Sequence, residues 1–230
     1  MEFIFVMVRQ ALEQIFSGDI DVWTTVWRTL RLAFASTALA LVIGLPIAVW
    51  LGEASTRARR AGIVIANAGL GLPPVVLGVY LAVSFYPASP LGRLQLTNTL
   101  TAMIIAQALL ALPIVVALTA AAVAGLPAGL LEQARAFGAS RPRRGVLALR
   151  EARVGVFAAV MAALLSALAE VGAVILVGGN IEGHTNTLAS TVLLDLSASD
   201  PAGATANVLV LLALVLVVGG ALTIVQQRSR

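Results

Sequence analysis

The chain has 230 residues, 60% of them hydrophobic and 11% charged, with a mean hydropathy of +0.98. A soluble domain carries about a quarter charged residues, so the composition excludes one and specifies a polytopic membrane protein, expected from its helix-length apolar runs to be all-α. All fifteen basic residues are Arg, Cys is absent and His184 is the single histidine, which removes disulfides, thiolate metal sites and a multi-histidine metal centre within one chain.

The missing Lys has a further consequence. A phosphate-binding loop of the P-loop type needs Gly-Lys-Ser/Thr, so this chain cannot hydrolyse ATP that way by itself. The pI near 10.9 would suit a nucleic-acid binder. The arginines instead cluster beside hydrophobic segments and read as topology signals.

Residues 1–17 (MEFIFVMVRQALEQIFS) are apolar with a polar side of Arg9, Gln10, Glu13 and Gln14. Segment 1–18 is expected to be an amphipathic helix in the membrane interface, with a complete span as the alternative. Residues 19–230 form the membrane domain. Its first span covers about 32–51, after Arg28 and Arg31. A second, about 62–85, is interrupted by Gly69-Leu70-Gly71-Leu72-Pro73-Pro74. Adjacent prolines remove two backbone donors, and such a break survives in lipid only where protein or a wet cavity satisfies the freed groups. A packing kink and a pathway-lining break are both compatible with it. The third span, about 100–123, contains Gln107 and Pro113. A charged stretch, 126–153, precedes the fourth span, about 154–177, which carries Glu170 deep in an apolar run. The connection from Gly178 to Gly203 holds His184 and room for a short helix near 187–196. A fifth span, about 206–225, closes the chain. Each span matches the ~20 residues that a bilayer core requires.

Five spans place the termini on opposite sides. Eleven arginines (57, 59, 60, 135, 141, 143, 144, 150, 153, 228, 230) fall on one side, against four (9, 28, 31, 93) on the other. The positive-inside rule then puts the N-terminus outside, the C-terminus in the cytoplasm, and 126–153 in the cytoplasm.

Within 126–153 the sequence predicts a helix of about a dozen residues, too short to span. Pro127 suits its first position. Leu130, Leu131, Ala134 and Phe137 share a face, and Gly138 is a left-handed stop. A solvated surface helix and a docking helix for a soluble partner both fit these features.

Glu132-Gln133-Ala134, three residues and Gly138 resemble the EAA-xxx-G signature of permease subunits of ATP-binding-cassette (ABC) importers. The likeness extends over the five-span core, the outside N-terminus, the broken second span and the position of the loop. Gln133 departs from the signature, and Leu147–Arg153 stands where the family carries I-x-L-P. Ala169–Ile181 (AEVGAVILVGGNI) and the preceding Leu149–Arg153 further resemble tungstate-type oxyanion permeases.

The resemblance implies a type I importer fold in the cell membrane. It implies a transport subunit, not an enzyme, working as a homodimer with cytoplasmic ATPases that hold the ATP and Mg, and with an external binding protein. Leu130, Leu131, Glu132, Ala134, Phe137 and Gly138 would then form the coupling helix on the ATPase. The cargo would be tungstate, with molybdate, sulfate or another solute as alternatives.

No Arg lies within the spans, so an anion would not be held tightly at mid-membrane. Arg28, Arg31 and Arg93 lie at the outer mouth. Candidates to line the pathway are Asn67, the break with Gly71, Pro73 and Pro74, Gln107, Thr119 and Ser166, each of which also suits a helix–helix hydrogen bond. Glu170 has three readings: a neutral acid bonded to a neighbouring span, an ion pair with an arginine, or a gate. A gradient-driven secondary transporter is the rival class, although it would be expected to pair charges within its spans. A membrane scaffold fits the docking loop but not the broken span. No acid/base pair or activated nucleophile suggests an enzyme.

Overall fold

A computed structural model describes residues 6, 9, 10, 13, 20–53 and 57–228. The interfacial helix expected over 1–18 lies almost wholly outside the described residues. Of its positions, Val6, Arg9, Gln10 and Glu13 are helical, and Arg9 pairs with Glu13 at 2.9 Å.

Every regular element among the described residues is helical. The α-helices are α1 Ile20–Glu53, α2 Arg57–Leu70, α3 Pro74–Phe85, α4 Leu100–Ala124, α5 Leu130–Ala136, α6 Arg141–Glu151, α7 Arg153–Ala169, α8 Gly172–Gly178, α9 Leu188–Ser197 and α10 Pro201–Arg228, with a 3₁₀ turn at Gly92–Leu94. Three of them, α1, α4 and α10, can each cross a bilayer alone. Taking α2 with α3 and α6 with α7 as bent pairs raises the count to five.

Three features stand out against the expected spans: two are departures, and one is the expected break in the second span. First, α1 begins twelve residues before Leu32 and is 34 residues long, about 51 Å at 1.5 Å per residue. Arg28 and Arg31 continue the helix because arginine is a good helix former. Second, the Gly/Pro break separates α2 from α3. The Gly71 and Leu72 N–H groups turn back to the carbonyls of Ala68 (3.1 Å) and Gly69 (3.2 Å). Pro74 takes the first position of α3, where no donor is needed. Third, the fourth span is also broken. Helix α7 stops at Ala169, Val171 leaves helical geometry (φ −122°, ψ −48°), and α8 starts at Gly172.

The chain forms two compact units. One comprises Met1–Ser36, Pro73–Gln107 and Leu165–Ala221. In it α3 packs along α8, and small residues let the backbones approach: a Cβ on Gly78 would stand 2.8 Å from the Cα of Ala173. Without water to drive apolar burial inside a bilayer, such close van der Waals packing is what joins helices.

The other unit comprises Thr37–Leu72, Ala108–Leu164 and Leu222–Arg230. Ala48, Leu51, Ala66, Val116 and Ala120 form one buried cluster, and Ala40, Ala111, Val115 and Ala163 another. Its third cluster joins Val123, Ala148 and Ala152, with Leu126, Leu131 and Val156 packed against them. This cluster anchors the charged loop to the end of α4.

Candidate functional site

The charged loop is built from α5 and α6. The expected start at Pro127 is corrected. Gly129 adopts a left-handed φ of +86°, which breaks the helical path, so α5 begins at Leu130 and has seven residues. Its end follows the expected stop. Gly138 has φ +82°, the Gly138 N–H donates to the Arg135 carbonyl at 2.9 Å, and the Ala139 N–H donates to the Ala134 carbonyl at 2.9 Å. This pair of bonds is a Schellman motif, and it satisfies carbonyls that the helix end would leave open.

The apolar face of α5 is divided. Leu130, Leu131 and Ala134 are half-buried, and Leu131 packs against the chain's own third cluster. Phe137 is 91% exposed. Glu132 and Gly138 are exposed as well. Behind α5 lies a cavity of about 340 Å³, whose lining includes Glu53, Glu132, Arg135 and Arg144. Arg144 reaches Glu53 at 3.7 Å, and its buried Nε has no hydrogen-bond partner among the described residues. Nothing in the sequence pairs Arg144 with Glu53; only the meeting of α1's end with α6 does.

In the first unit, Gln107 is buried. Its Nε2 donates to the Ala167 carbonyl at 2.8 Å, and Ser36 Oγ donates to its Oε1 at 3.2 Å. Gln107 therefore knots α1, α4 and α7 together. In the second unit, Thr119 is fully buried and its hydroxyl lacks a partner among the described residues. Asn67, Gly71, Pro73 and Ser166 are exposed, and Pro74 is half-buried.

Glu170 sits at the second break, and its Oε1 accepts the Ala173 N–H at 3.1 Å. The carboxylate thus caps the first turn of α8, where negative charge is favourable. Among the described residues it makes no ion pair with an arginine and no hydrogen bond to a neighbouring span.

The three outer arginines have different roles. Arg28 is committed internally. Its guanidinium donates to the carbonyls of Gly183 (2.8 Å) and Asn186 (3.0 Å), and to Asn186 Oδ1. Thr29 adds a bond from the Leu188 N–H, at 3.0 Å. Together these tie the outer connection to α1. Arg31 and Arg93 are exposed, and Arg31 lines a cavity of about 560 Å³ with Trp23, Trp27, Leu100 and His184. Helix α9 begins at a capping box of Thr187 and Ser190. Sequence reasoning missed Thr185, Asn186 and Thr187, all buried polar residues. Three consecutive small polar residues before an apolar run were the available signal.

In the same unit, Asp195 accepts a hydrogen bond from Asn207 at 2.8 Å. Burial raises its carboxyl above the ordinary aspartate range. Asp200 and Glu182 add to the rise by repulsion, and the Asn207 bond opposes it.

The chain belongs to the family described as binding-protein-dependent transport system inner membrane component, which matches residues 44–230. It is 32% identical to the tungstate uptake system permease protein TupB of Peptoclostridium acidaminophilum over 212 residues, covering 92% of this chain and 93% of the relative. It is 33% identical to the molybdenum transport system permease protein ModB of Azotobacter vinelandii over 174 residues, 70% of this chain and 75% of that one. Its fold is similar to that of a chain of the inward-facing MetNI methionine ABC transporter (TM-score 0.73, 23% identity, 90% of this chain and 97% of that chain). The protein is thus an ABC importer permease subunit, multi-pass in the inner membrane.

Proposed function

We propose that this permease moves an oxyanion, tungstate first among them, into the cytoplasm, powered by separate ATPase subunits that engage the 126–153 loop. The observation that carries the cargo is the similarity to a tungstate uptake permease along nearly the whole of both chains. Exposure of Phe137 on a helix with a fixed stop supports the docking role. An aromatic side chain standing free on a rigid element is suited to anchor in a partner's pocket.

Two copies of the permease, an external binding protein and the ATPases complete the machine in this reading. Selectivity rests mainly with the external protein, because the anion meets no arginine within the predicted spans. Among the described residues Asn67, Gly71, Pro73 and Ser166 are exposed and Pro74 is half-buried; the Asn67 amide and the Ser166 hydroxyl offer hydrogen-bond donors to a passing anion. Gln107 and Glu170 contribute by holding the helices and the second break in shape.

The test is reconstitution into proteoliposomes with the ATPase and binding protein, measuring ATP-dependent tungstate uptake with molybdate and sulfate as competitors. Uptake that needs ATP and resists excess sulfate is expected. Preference for molybdate would reassign the cargo. Uptake that persists on an ion gradient without ATP would favour a secondary transporter.

A further inference from the structure

The stretch Leu147–Arg153, where the importer signature is missing, forms the elbow between α6 and α7. The two helices meet at 78°. Ala152 at the bend is buried with Ala148 and Val123, so the elbow is held by packing. Val154 begins the apolar run that crosses the bilayer. Arg153 therefore stands at the edge of the hydrocarbon. With α7 entering the expected fourth span at an ordinary tilt, the 78° bend sets α6, which carries Arg141, Arg143, Arg144 and Arg150, along the membrane plane and not within the crossing segment.

Against the elbow lies an open groove of about 660 Å³ lined by Val146, Leu147, Leu149, Arg150, Glu151 and Arg153. Val146 is 58% exposed there. Arg150 and Arg153 are exposed, and neither makes a hydrogen bond or ion pair among the described residues. Two unpaired guanidinium groups beside an apolar wall, at the bilayer boundary, match one ligand chemistry: a phosphodiester with hydrocarbon attached. Guanidinium groups bind phosphate oxygens through fixed paired donors, and Val146 and Leu149 offer contact to the glycerol and upper acyl chain. Phe137, the exposed residue suited to a protein partner, lies beyond the Gly138 turn on the other helix of the loop.

We propose that the α6–α7 elbow is a binding site for an anionic phospholipid of the cytoplasmic leaflet, its phosphate held by Arg150 and Arg153. Because α6 leads directly from the α5 turn, lipid at the elbow would also steady the loop. The site follows from the helix geometry and the side of the membrane, and holds whichever solute the permease carries.

The experiment uses the full-length permease purified in neutral detergent. Phosphatidylglycerol is titrated, with phosphatidylcholine as the zwitterionic control, and bound lipid is followed by native mass spectrometry and by the shift in Tm. Phosphatidylglycerol should bind preferentially and raise Tm. Arg150→Gln should weaken it about fivefold, and Arg150→Gln with Arg153→Gln about thirtyfold, from roughly 1 kcal/mol per arginine near a charged surface. Arg150→Lys should retain most of the affinity. Val146→Glu, which leaves both arginines in place and adds a charge on the exposed side of α6, should also weaken binding and covers the case in which the double variant does not fold. Equal retention of the two lipids, or undiminished phosphatidylglycerol binding in these variants, overturns the proposal. Displacement by equimolar inorganic phosphate would make it a free-anion site and overturn it too. So would loss of ATPase-subunit association with lipid binding intact, which would make the elbow a protein contact.

Discussion

Replacing Gly138 by alanine isolates what the backbone contributes to the loop. Gly138 holds φ +82°, and a Cβ built there meets nothing within 4 Å. The cost is therefore conformational, about 1–2 kcal/mol for placing an L-residue in left-handed geometry. That energy falls on the Schellman turn, and corresponds to about a 5–30-fold loss of the correctly turned loop. Asparagine tolerates left-handed geometry better and should cost less. Aspartate adds a negative charge at the α5 C-terminus, where the helix dipole opposes it. The expected order of impairment is thus Asp, then Ala, then Asn, read as tungstate-stimulated ATPase activity and uptake in proteoliposomes. Gly138→Asp should leave the spans folded but uncouple hydrolysis from transport. Normal coupling in that variant, or Ala milder than Asn, would refute the reasoning. The second result would mean that space at a partner's surface, not φ, is what Gly138 provides.

Other consequences are equally direct. Arg28→Gln removes the outer tether and should lower stability by about 2 kcal/mol, from lost charge-assisted hydrogen bonds, with faster proteolysis of 181–187; Arg31→Gln should change neither. Gly78→Ala forces a methyl against the Ala173 backbone at 2.8 Å and should cost about 1–3 kcal/mol, measured as a drop in Tm. Glu170→Gln keeps an oxygen for the Ala173 N–H and should retain assembly and most transport, whereas Glu170→Leu should lose about 1 kcal/mol as a missing cap. Complete loss of transport in a well-assembled Gln variant would instead make Glu170 a gate. Asp195 has a carboxyl raised by burial, so its contribution to stability is full below the unfolded aspartate pKa and is lost as pH rises through the raised folded value. Asp195→Asn should flatten the dependence of Tm on pH over that acidic window and be neutral or slightly stabilising at pH 7; an unchanged pH profile would remove Asp195 as its source.

Much of the fold was legible because its causes are local. Composition alone required a membrane. Span lengths follow from bilayer thickness, and the arginine distribution assigned the loop to a side. Gly138 and the Gly71–Pro74 break were readable because a left-handed turn and a missing donor are properties of single residues. Two local inferences still failed. Pro127 did not start α5, since Gly129 can turn the chain in a way no side-chain pattern announces. A continuous fourth span is what the sequence predicts, because Glu170-Val171-Gly172 has no proline to mark the break that Val171 makes.

What only the tertiary structure decided is the partner of each polar group and the free side of each apolar one. Arg28 and Asn186 are 158 positions apart, and their meeting turns a supposed mouth residue into a tether. Gln107 could have lined a pathway or joined helices; Ser36 and Ala167 make it a joint. Leu131 and Phe137 look alike on a helical wheel, yet one packs on its own chain and the other stands free. The sequence by itself determined the membrane, the break at Gly71–Pro74 and the stop at Gly138, since these depend on each segment's own backbone and solvent. Pairing depends on which helices meet, and that is a property of the packed whole.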